Sequence, residues 1–406
     1  YTDPTMKLDL SNFRSRVVNK IKEVTPEIGF LRQNISLFEA VALISSGTIG
    51  AGVLGIPYAV AEVGLFLGLS YVIIIGLLVT GIHLLVGDVI LRTNKELQLV
   101  GLAKEYLGKK AGMFMGVLLY TMLLGTLVVY IIGEGETLAA LLGGSSLVWS
   151  IAFFVFAACM VYIGLNTLKT VELILTGAIL SIILLIAGLA APHVDIANIR
   201  YNNFANLFFP YGVLLFAFHG VTFIPEAQRL LKREQRKFKQ AIVISGAITI
   251  AAYTLFALAI VGVTGSETTQ VATIGLGEVV GKHMLVIGNV FAAMTMATSF
   301  MVVGLTVKDS LRIDYNISNW LATAFACGIP LIIFVIGLRD FVTVIDMVGG
   351  VVVSLEMIVL VFIYWKATNE GRACPVNYRL HHSLWVVIAA LAVFTIGSLY
   401  SVWNLF

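Results

Sequence analysis

Charge is what this sequence has least of. Lys, Arg, Asp and Glu supply 12% of its 406 residues, against about 25% in a soluble domain. With 59% of the residues hydrophobic, a water-soluble fold would leave far too much apolar surface in contact with solvent. Cysteine is nearly absent: Cys159, Cys327 and Cys374 show no metal-binding spacing, so a zinc centre or a disulfide scaffold is excluded and the three read as free thiols. No loop interleaves basic and aromatic residues in the manner of a nucleic-acid surface, which removes nucleic acid as a partner. An enzymatic constellation is missing too. The nearest approach is Val86-Gly87-Asp88, which lacks the first glycine of an aspartyl protease signature and a second catalytic Asp with a Tyr before it, so the chain is not expected to be an enzyme.

What the sequence has is apolar length. Eleven runs with few charges lie near 36-62, 64-90, 112-141, 147-164, 171-191, 206-230, 239-262, 283-308, 317-337, 343-365 and 383-404, each close to or above the roughly 18 to 20 residues that cross a bilayer. Lipid offers the backbone no hydrogen-bond partners, so these runs are helical. A barrel would show shorter segments of alternating polarity instead. Of the 26 Lys and Arg, 23 fall on one side when the N-terminus is cytoplasmic, the exceptions being Arg200, Lys282 and Arg339. Basic residues are retained inside, so the reading is an integral protein of the lipid bilayer, placed in the cell (plasma) membrane, with a cytoplasmic N-terminus and an extracellular C-terminus. In the first 35 residues Leu10, Phe13, Val17 and Ile21 recur at helical spacing beside Arg14, Arg16, Lys20 and Lys22. That pattern is open to a helix lying on the inner leaflet or to a basic tail without structure.

The chain also repeats itself. Gly52-Val53-Leu54-Gly55-Ile56-Pro57-Tyr58-Ala59 and Gly220-Val221-Thr222-Phe223-Ile224-Pro225-Glu226-Ala227 agree at five of eight positions, 168 residues apart. The first five segments find partners in the next five at offsets of 170 to 175. Because five is odd, the second unit enters the membrane from the opposite side, and two such units can expose one central site to alternate sides. The organisation is therefore 1-35 as a cytoplasmic segment, 36-191 as the first repeat, 192-205 as an extracellular loop, 206-366 as the second repeat and 383-404 as an eleventh helix. Gly47, Gly50, Gly52, Gly55 and Pro57 interrupt the first segment, and Gly220 and Pro225 the sixth. Unwinding there bares peptide groups, whose N-H ends attract an anion and whose C=O ends attract a cation. A zwitterionic amino acid carries both charges. The bland alternative, close helix packing at the glycines and a harmless proline kink, is weakened because the two interruptions match.

Gly50-Ala51-Gly52-Val53-Leu54-Gly55-Ile56-Pro57-Tyr58-Ala59 resembles the first-helix signature of the amino acid/auxin permease family, and Phe216-Ala217-Phe218-His219-Gly220 with Pro225-Glu226 resembles its sixth helix. That group, within the amino acid, polyamine and organocation superfamily, includes sodium-coupled neutral amino acid transporters, lysosomal and vesicular proton-coupled carriers, and bacterial aromatic amino acid permeases. The resemblance implies an all-α LeuT fold, a 5+5 inverted repeat with broken helices one and six plus an eleventh. It implies that the substrate carboxylate meets amides of Gly50, Ala51 and Gly52, and that its ammonium meets carbonyls of Ser45, Phe216 and Ala217. It also implies a coupling Na+ held by carbonyls of Ser46, Ile49 and Thr295 and hydroxyls of Thr298 and Ser299, hard oxygen ligands as a small cation requires. Sodium-coupled relatives have Asn where Ser46 stands. The expected function is symport of a neutral amino acid with sodium by a monomer with no organic cofactor, since Glu226 is the only charged group near the interruptions. The alternatives are proton-coupled symport, with His219 or Glu226 as titrating or gating groups, and an amino acid sensor on the same fold without net flux. His219 is also open to a purely structural hydrogen bond. Glu39, Glu62, Glu134, Glu136, Glu172 and Asp340 are read as hydrated helix-end residues.

Overall fold

The computed structural model describes residues 37-93, 95-164, 168-231, 234-370 and 384-403; the helix expected within residues 1-35, and Cys374, lie outside them. Every apolar run becomes a helix or a helix pair. The first is α1 (Leu37–Thr48) and α2 (Gly52–Val63), bent by 59° between them. Then follow α3 (Leu65–Thr93), the short α4 (Leu99–Leu107), α5 (Lys109–Leu142), α6 (Ser146–Ile163) and α7 (Leu168–Ala190). A connection containing α8 (Ile196–Arg200) leads to the second half: α9 (Pro210–Ala217), α10 (Ile224–Leu230), α11 (Gln235–Thr264), α12 (Ala272–Val280), α13 (Lys282–Tyr315) and α14 (Asn319–Ile336). The tenth segment is α15 (Phe341–Met347), a π-helical stretch (Val348–Val353) and α16 (Ser354–Asn369), and α17 (Leu384–Trp403) is the eleventh. No strand occurs among the described residues. The fold is the 5+5 inverted repeat with an eleventh helix.

The interruptions are narrower than the glycine and proline positions predict. Gly52, Gly55 and Pro57 lie inside α2, and Gly47 lies inside α1. Only Ile49, Gly50 and Ala51 leave the helix. Proline is tolerated within a membrane helix where neighbouring groups absorb the lost bond. In the sixth segment the break is Phe218 to Gly220, and Pro225 sits in the first turn of α10, where its missing N-H costs nothing. The two breaks are 169 residues apart, in step with the repeat.

Packing follows residue size. The α3 and α11 helices, second members of the two halves, approach where a Cβ on Gly76 would lie 2.5 Å from Ile250 and one on Gly246 would lie 2.4 Å from Thr80. By contrast α6 buries only Ser150, Phe153, Ala157 and Val161, a stripe one residue wide at helical spacing, and its remaining face carries exposed Val148, Val155, Phe156 and Ile163. An apolar side chain left outside is normal when the solvent is lipid. Lys308, 2% exposed, reaches from α13 to donate to the Val161 carbonyl at 2.6 Å, satisfying the C-terminal end of α6 with a cation where the helix dipole favours one.

The connection at 192-205 is structured. Asp195 caps α8, Asn198 Nδ2 donates to the carbonyls of Gly262 and Val263 at the end of α11, and Tyr201 donates its hydroxyl proton to Ala61 O of α2. Asn206 Nδ2 donates to Glu62 at 2.8 Å. Glu62 therefore has a protein partner and is not simply hydrated. This connection closes the ends of α2 and α11 together.

Candidate functional site

The two breaks lie against one another. A Cβ on Gly52 would stand 2.7 Å from Ala217 Cα and 3.0 Å from its Cβ, and one on Gly220 would stand 2.0 Å from Thr48 Oγ1. Only hydrogen fits at either position. In the first break Ile49 N still donates to Ser45 O, and Gly50 N donates to Thr48 O. No acceptor among the described residues takes the amides of Ala51 and Gly52. Free N-H groups opening a helix at membrane depth make an anion-binding end. In the sixth break His219 N donates to Phe216 O at 3.1 Å, which leaves that carbonyl a second lone pair. Ser45 is buried with its Oγ unpartnered. Five of the expected substrate residues, Ser45, Ala51, Gly52, Phe216 and Ala217, are thus buried at or beside the facing breaks, with half-buried Gly50 between them.

A residue that the sequence reading missed ties the breaks together. Tyr253 of α11, fully buried, places its hydroxyl 3.0 Å from Thr48 O and 2.9 Å from Ala217 O, with its ring edge-on to Phe218 at 4.9 Å. Its one proton is shared between a carbonyl of each repeat. The signal was present: an isolated tyrosine in the middle of an apolar segment needs a partner for its hydroxyl. Tyr130 of α5 approaches from the other side, its hydroxyl 3.3 Å from where a Gly50 Cβ would stand. Glu134, one turn further along α5, is buried with Oε2 unpartnered. That corrects its reading as a hydrated end residue; the 34-residue α5 extends past it by two turns.

The expected cation ligands are partly turned inward on their own helices. Ser46 Oγ donates to Leu43 O at 3.0 Å, Thr295 Oγ1 to Phe291 O at 2.9 Å, and Thr298 Oγ1 to Met294 O at 2.8 Å and Thr295 O at 3.1 Å. A hydroxyl that donates keeps its lone pairs, so these oxygens retain the chemistry of sodium ligands. No hydrogen bond among the described residues joins Thr295, Thr298 or Ser299 to Ser46 or Ile49. No three His, Cys, Asp or Glu side chains converge as a transition-metal centre among the described residues.

Of the two candidate titrating groups, Glu226 lies in the first turn of α10 with no ion pair among the described residues, while Arg229 on the same helix reaches Glu96 at 3.8 Å. His219 is bonded: its Nε2 lies 2.9 Å from Glu356 Oε2 of α16, both side chains buried. The tenth segment grips the sixth at three further points. Tyr211 and Ser354 hydroxyls are 2.7 Å apart, Gly212 N donates to the Asp346 carboxylate, and a Cβ on Gly349 would strike Gly212 O. A small cavity beside the breaks is lined by Thr48, His83, Phe218, Ser245 and Thr249.

The chain resembles known carriers. It is 23% identical over 368 residues to glutamine transporter 2 of Aliivibrio fischeri, covering 86% of this chain and 93% of that one. It is 25% identical over 376 residues to tyrosine-specific transport system 1 of Haemophilus influenzae, with the same coverage of 86% and 93%. In three dimensions it matches the manganese transporter of Eremococcus coleocola with a TM-score of 0.63 at 14% identity, over 92% of this chain and 86% of that one. It matches MhsT in complex with L-phenylalanine with a TM-score of 0.59 at 13% identity, over 90% and 98%. At those identities the structures establish the LeuT fold and nothing about cargo. The family model that fits is that of the tryptophan/tyrosine permeases, over residues 33–401, which bears out the resemblance to aromatic amino acid permeases, while the broader amino acid/auxin permease name is not the one that matches. With the fold, the facing breaks and a match over nearly its whole length, the chain belongs to the tryptophan/tyrosine permease family.

Proposed function

We propose that this transporter carries a neutral amino acid across the cell membrane together with a cation, as a monomer, with its N-terminus in the cytoplasm and its C-terminus outside. The observation that carries the reading is the pair of facing breaks: unspent amides of Ala51 and Gly52 on one side, carbonyls of Phe216 and Ala217 on the other, and Tyr253 between them. Amides take the carboxylate and carbonyls the ammonium, so one α-amino acid satisfies both ends. Neutrality of the side chain is supported by the absence of any Lys or Arg at the breaks and by relatives named for glutamine and tyrosine. Half-buried Gly50 and small Ala217 leave room for an aromatic group without requiring one.

Two coupling cations are consistent with the site. Sodium is supported by the spacing of Ser46, Ile49, Thr295, Thr298 and Ser299. A proton is favoured by a specific contact, the buried pair of His219 and Glu356. Purified protein in liposomes, given labelled neutral amino acids under an inward sodium or an inward proton gradient, separates the two. Sodium-driven uptake lost in Ser299→Ala supports the sodium site, and proton-driven uptake insensitive to that change supports the proton. Uptake of lysine or glutamate in preference to neutral amino acids sinks the substrate reading. Binding without flux under either gradient makes the protein a sensor.

A further inference from the structure

Among the described residues, the pair of His219 and Glu356 is the one ionisable contact that joins a break to another segment in the apolar interior. His219 and Glu356 side chains are 2% and 0% exposed. Glu356 lies just beyond the π-helical stretch, and its second oxygen, Oε1, is buried with no hydrogen-bond partner. Around the pair, α3 supplies His83, within electrostatic reach of His219 and with an unpartnered Nε2. Further along α3, Asp88 is spent on Arg92. From α11 comes Tyr253, whose hydroxyl is committed to the breaks. From α5 come Tyr130 and Glu134, from α9 Tyr211, engaged with Ser354, and from α4 buried Tyr106, bonded to Thr93, while Lys104 of α4 is exposed and Glu105 is held by Lys95. On the tenth segment Asp346 is bound by the Gly212 amide. The only titratable group that α17 describes is Tyr400, stacked near Phe208. Among the described residues no Lys or Arg forms an ion pair with Glu356.

A carboxylate beside a neutral imidazole is a net negative charge out of water, and such a charge is costly to keep there. One proton removes it, whether the result is an imidazolium facing a carboxylate or a carboxylic acid facing an imidazole. We propose, resting on the carrier reading above, that His219 and Glu356 together bind the coupled proton of this transporter. The new bond is an N-H or O-H bond within the pair, the proton comes from a hydronium ion whose O-H bond breaks to leave water, and the pair passes from net negative to neutral. Coupling then follows from position. His219 belongs to the same three-residue break whose neighbours Phe216 and Ala217 face the ammonium. When substrate closes the site and water leaves, an ionised pair loses its hydration, so closure and protonation favour one another.

The test uses intact protein, with Glu356→Gln, which keeps the shape but cannot ionise, and Glu356→Asp, which can. In liposomes without a gradient, exchange of labelled for unlabelled amino acid reports the carrier cycle itself; with an inward proton gradient, accumulation reports coupling. In lightly buffered detergent solution a pH indicator reports protons taken up on adding substrate. We expect Glu356→Gln to exchange while its proton-driven accumulation falls roughly tenfold or more, and its uptake of about one proton per substrate to vanish. Glu356→Asp should recover part of both. Unchanged proton-driven accumulation in Glu356→Gln overturns the proposal. So does loss of exchange in both variants, which would make the contact a structural tie. Absence of exchange in the wild-type protein instead overturns the carrier reading, separately.

Discussion

At the scale of single residues the site turns on atoms that are missing as much as on those present. Gly52 has no Cβ because Ala217 Cα occupies its place. Gly52→Ala should therefore push the breaks apart and reduce amino acid binding by about two orders of magnitude, measured by isothermal titration on protein whose melting temperature shows it still folded. Tyr253→Phe keeps the ring against Phe218 but leaves two buried carbonyls sharing no donor. A lost buried hydrogen bond costs about 1 to 3 kcal/mol, so substrate affinity should fall by around tenfold while uptake is slowed and not abolished. Intact affinity in that variant would show that the tie plays no part in shaping the site. The glycines were legible in the sequence, because a repeated Gly and Pro pattern at membrane depth has few physical explanations. Tyr253 and the partner of His219 were not, since their contacts span 205 and 137 residues and nothing local announces which segment comes to lie beside which.

At the scale of elements, the sequence located helices better than it located their interruptions. Length and apolarity decide whether a segment crosses lipid; each of the eleven runs is a helix or a helix pair, and seven of the described helices, or eight counting the bent pair α1 and α2, are long and apolar enough to cross a membrane on their own. Where a helix breaks depends on what surrounds it, and Pro57 is carried within α2 although proline alone argues for a stop. Helix ends show the same dependence on surroundings. Asp340 caps α15: its carboxylate accepts from Thr343 N at 2.7 Å and from Gln270 Nε2 at 2.7 Å. Partial burial works against its ionised form, yet the hydrogen bonds from Thr343 and Gln270 outweigh burial and hold its carboxyl below the usual aspartate value. A carboxyl depressed in the folded state lends stability that is fully present above its unfolded value and is lost as pH falls through the folded one. Asp340→Ala should lower stability by about 1 kcal/mol at neutral pH. The gap between wild type and variant should close in acid below the ordinary aspartate range. Thermal unfolding in detergent across pH 3 to 7 checks both statements, and a gap that persists unchanged at low pH would mean the cap acts through something other than its charge.

At the scale of the whole molecule, the distribution of 23 of 26 basic residues predicts, by retention of basic residues inside, that Lys95 is cytoplasmic and Lys282 external. Single cysteines at those positions, in a background without Cys159, Cys327 and Cys374, should react differently with a membrane-impermeant maleimide: Lys282→Cys in intact cells and Lys95→Cys only in inside-out vesicles. The reverse pattern would invert the topology and with it the direction of coupling. The inverted repeat was legible at this scale because duplication leaves its mark in segment spacing, whereas the grip of the tenth segment on the sixth, through Ser354, Asp346, Gly349 and Glu356, has no counterpart in any spacing.

The fourth helices of the two halves are short. Both α6 and α14 have 18 residues, about 27 Å at 1.5 Å per residue, while α5 and α13 have 34. They stand side by side, with Asn319 Nδ2 donating to Tyr162 O at 3.2 Å, so two short helices adjoin. A hydrocarbon layer of about 30 Å must pinch or the protein must lean there. Acyl chain length then becomes a control on the transporter: exchange should run faster in bilayers of shorter lipids, and a thick, sterol-rich bilayer should slow it.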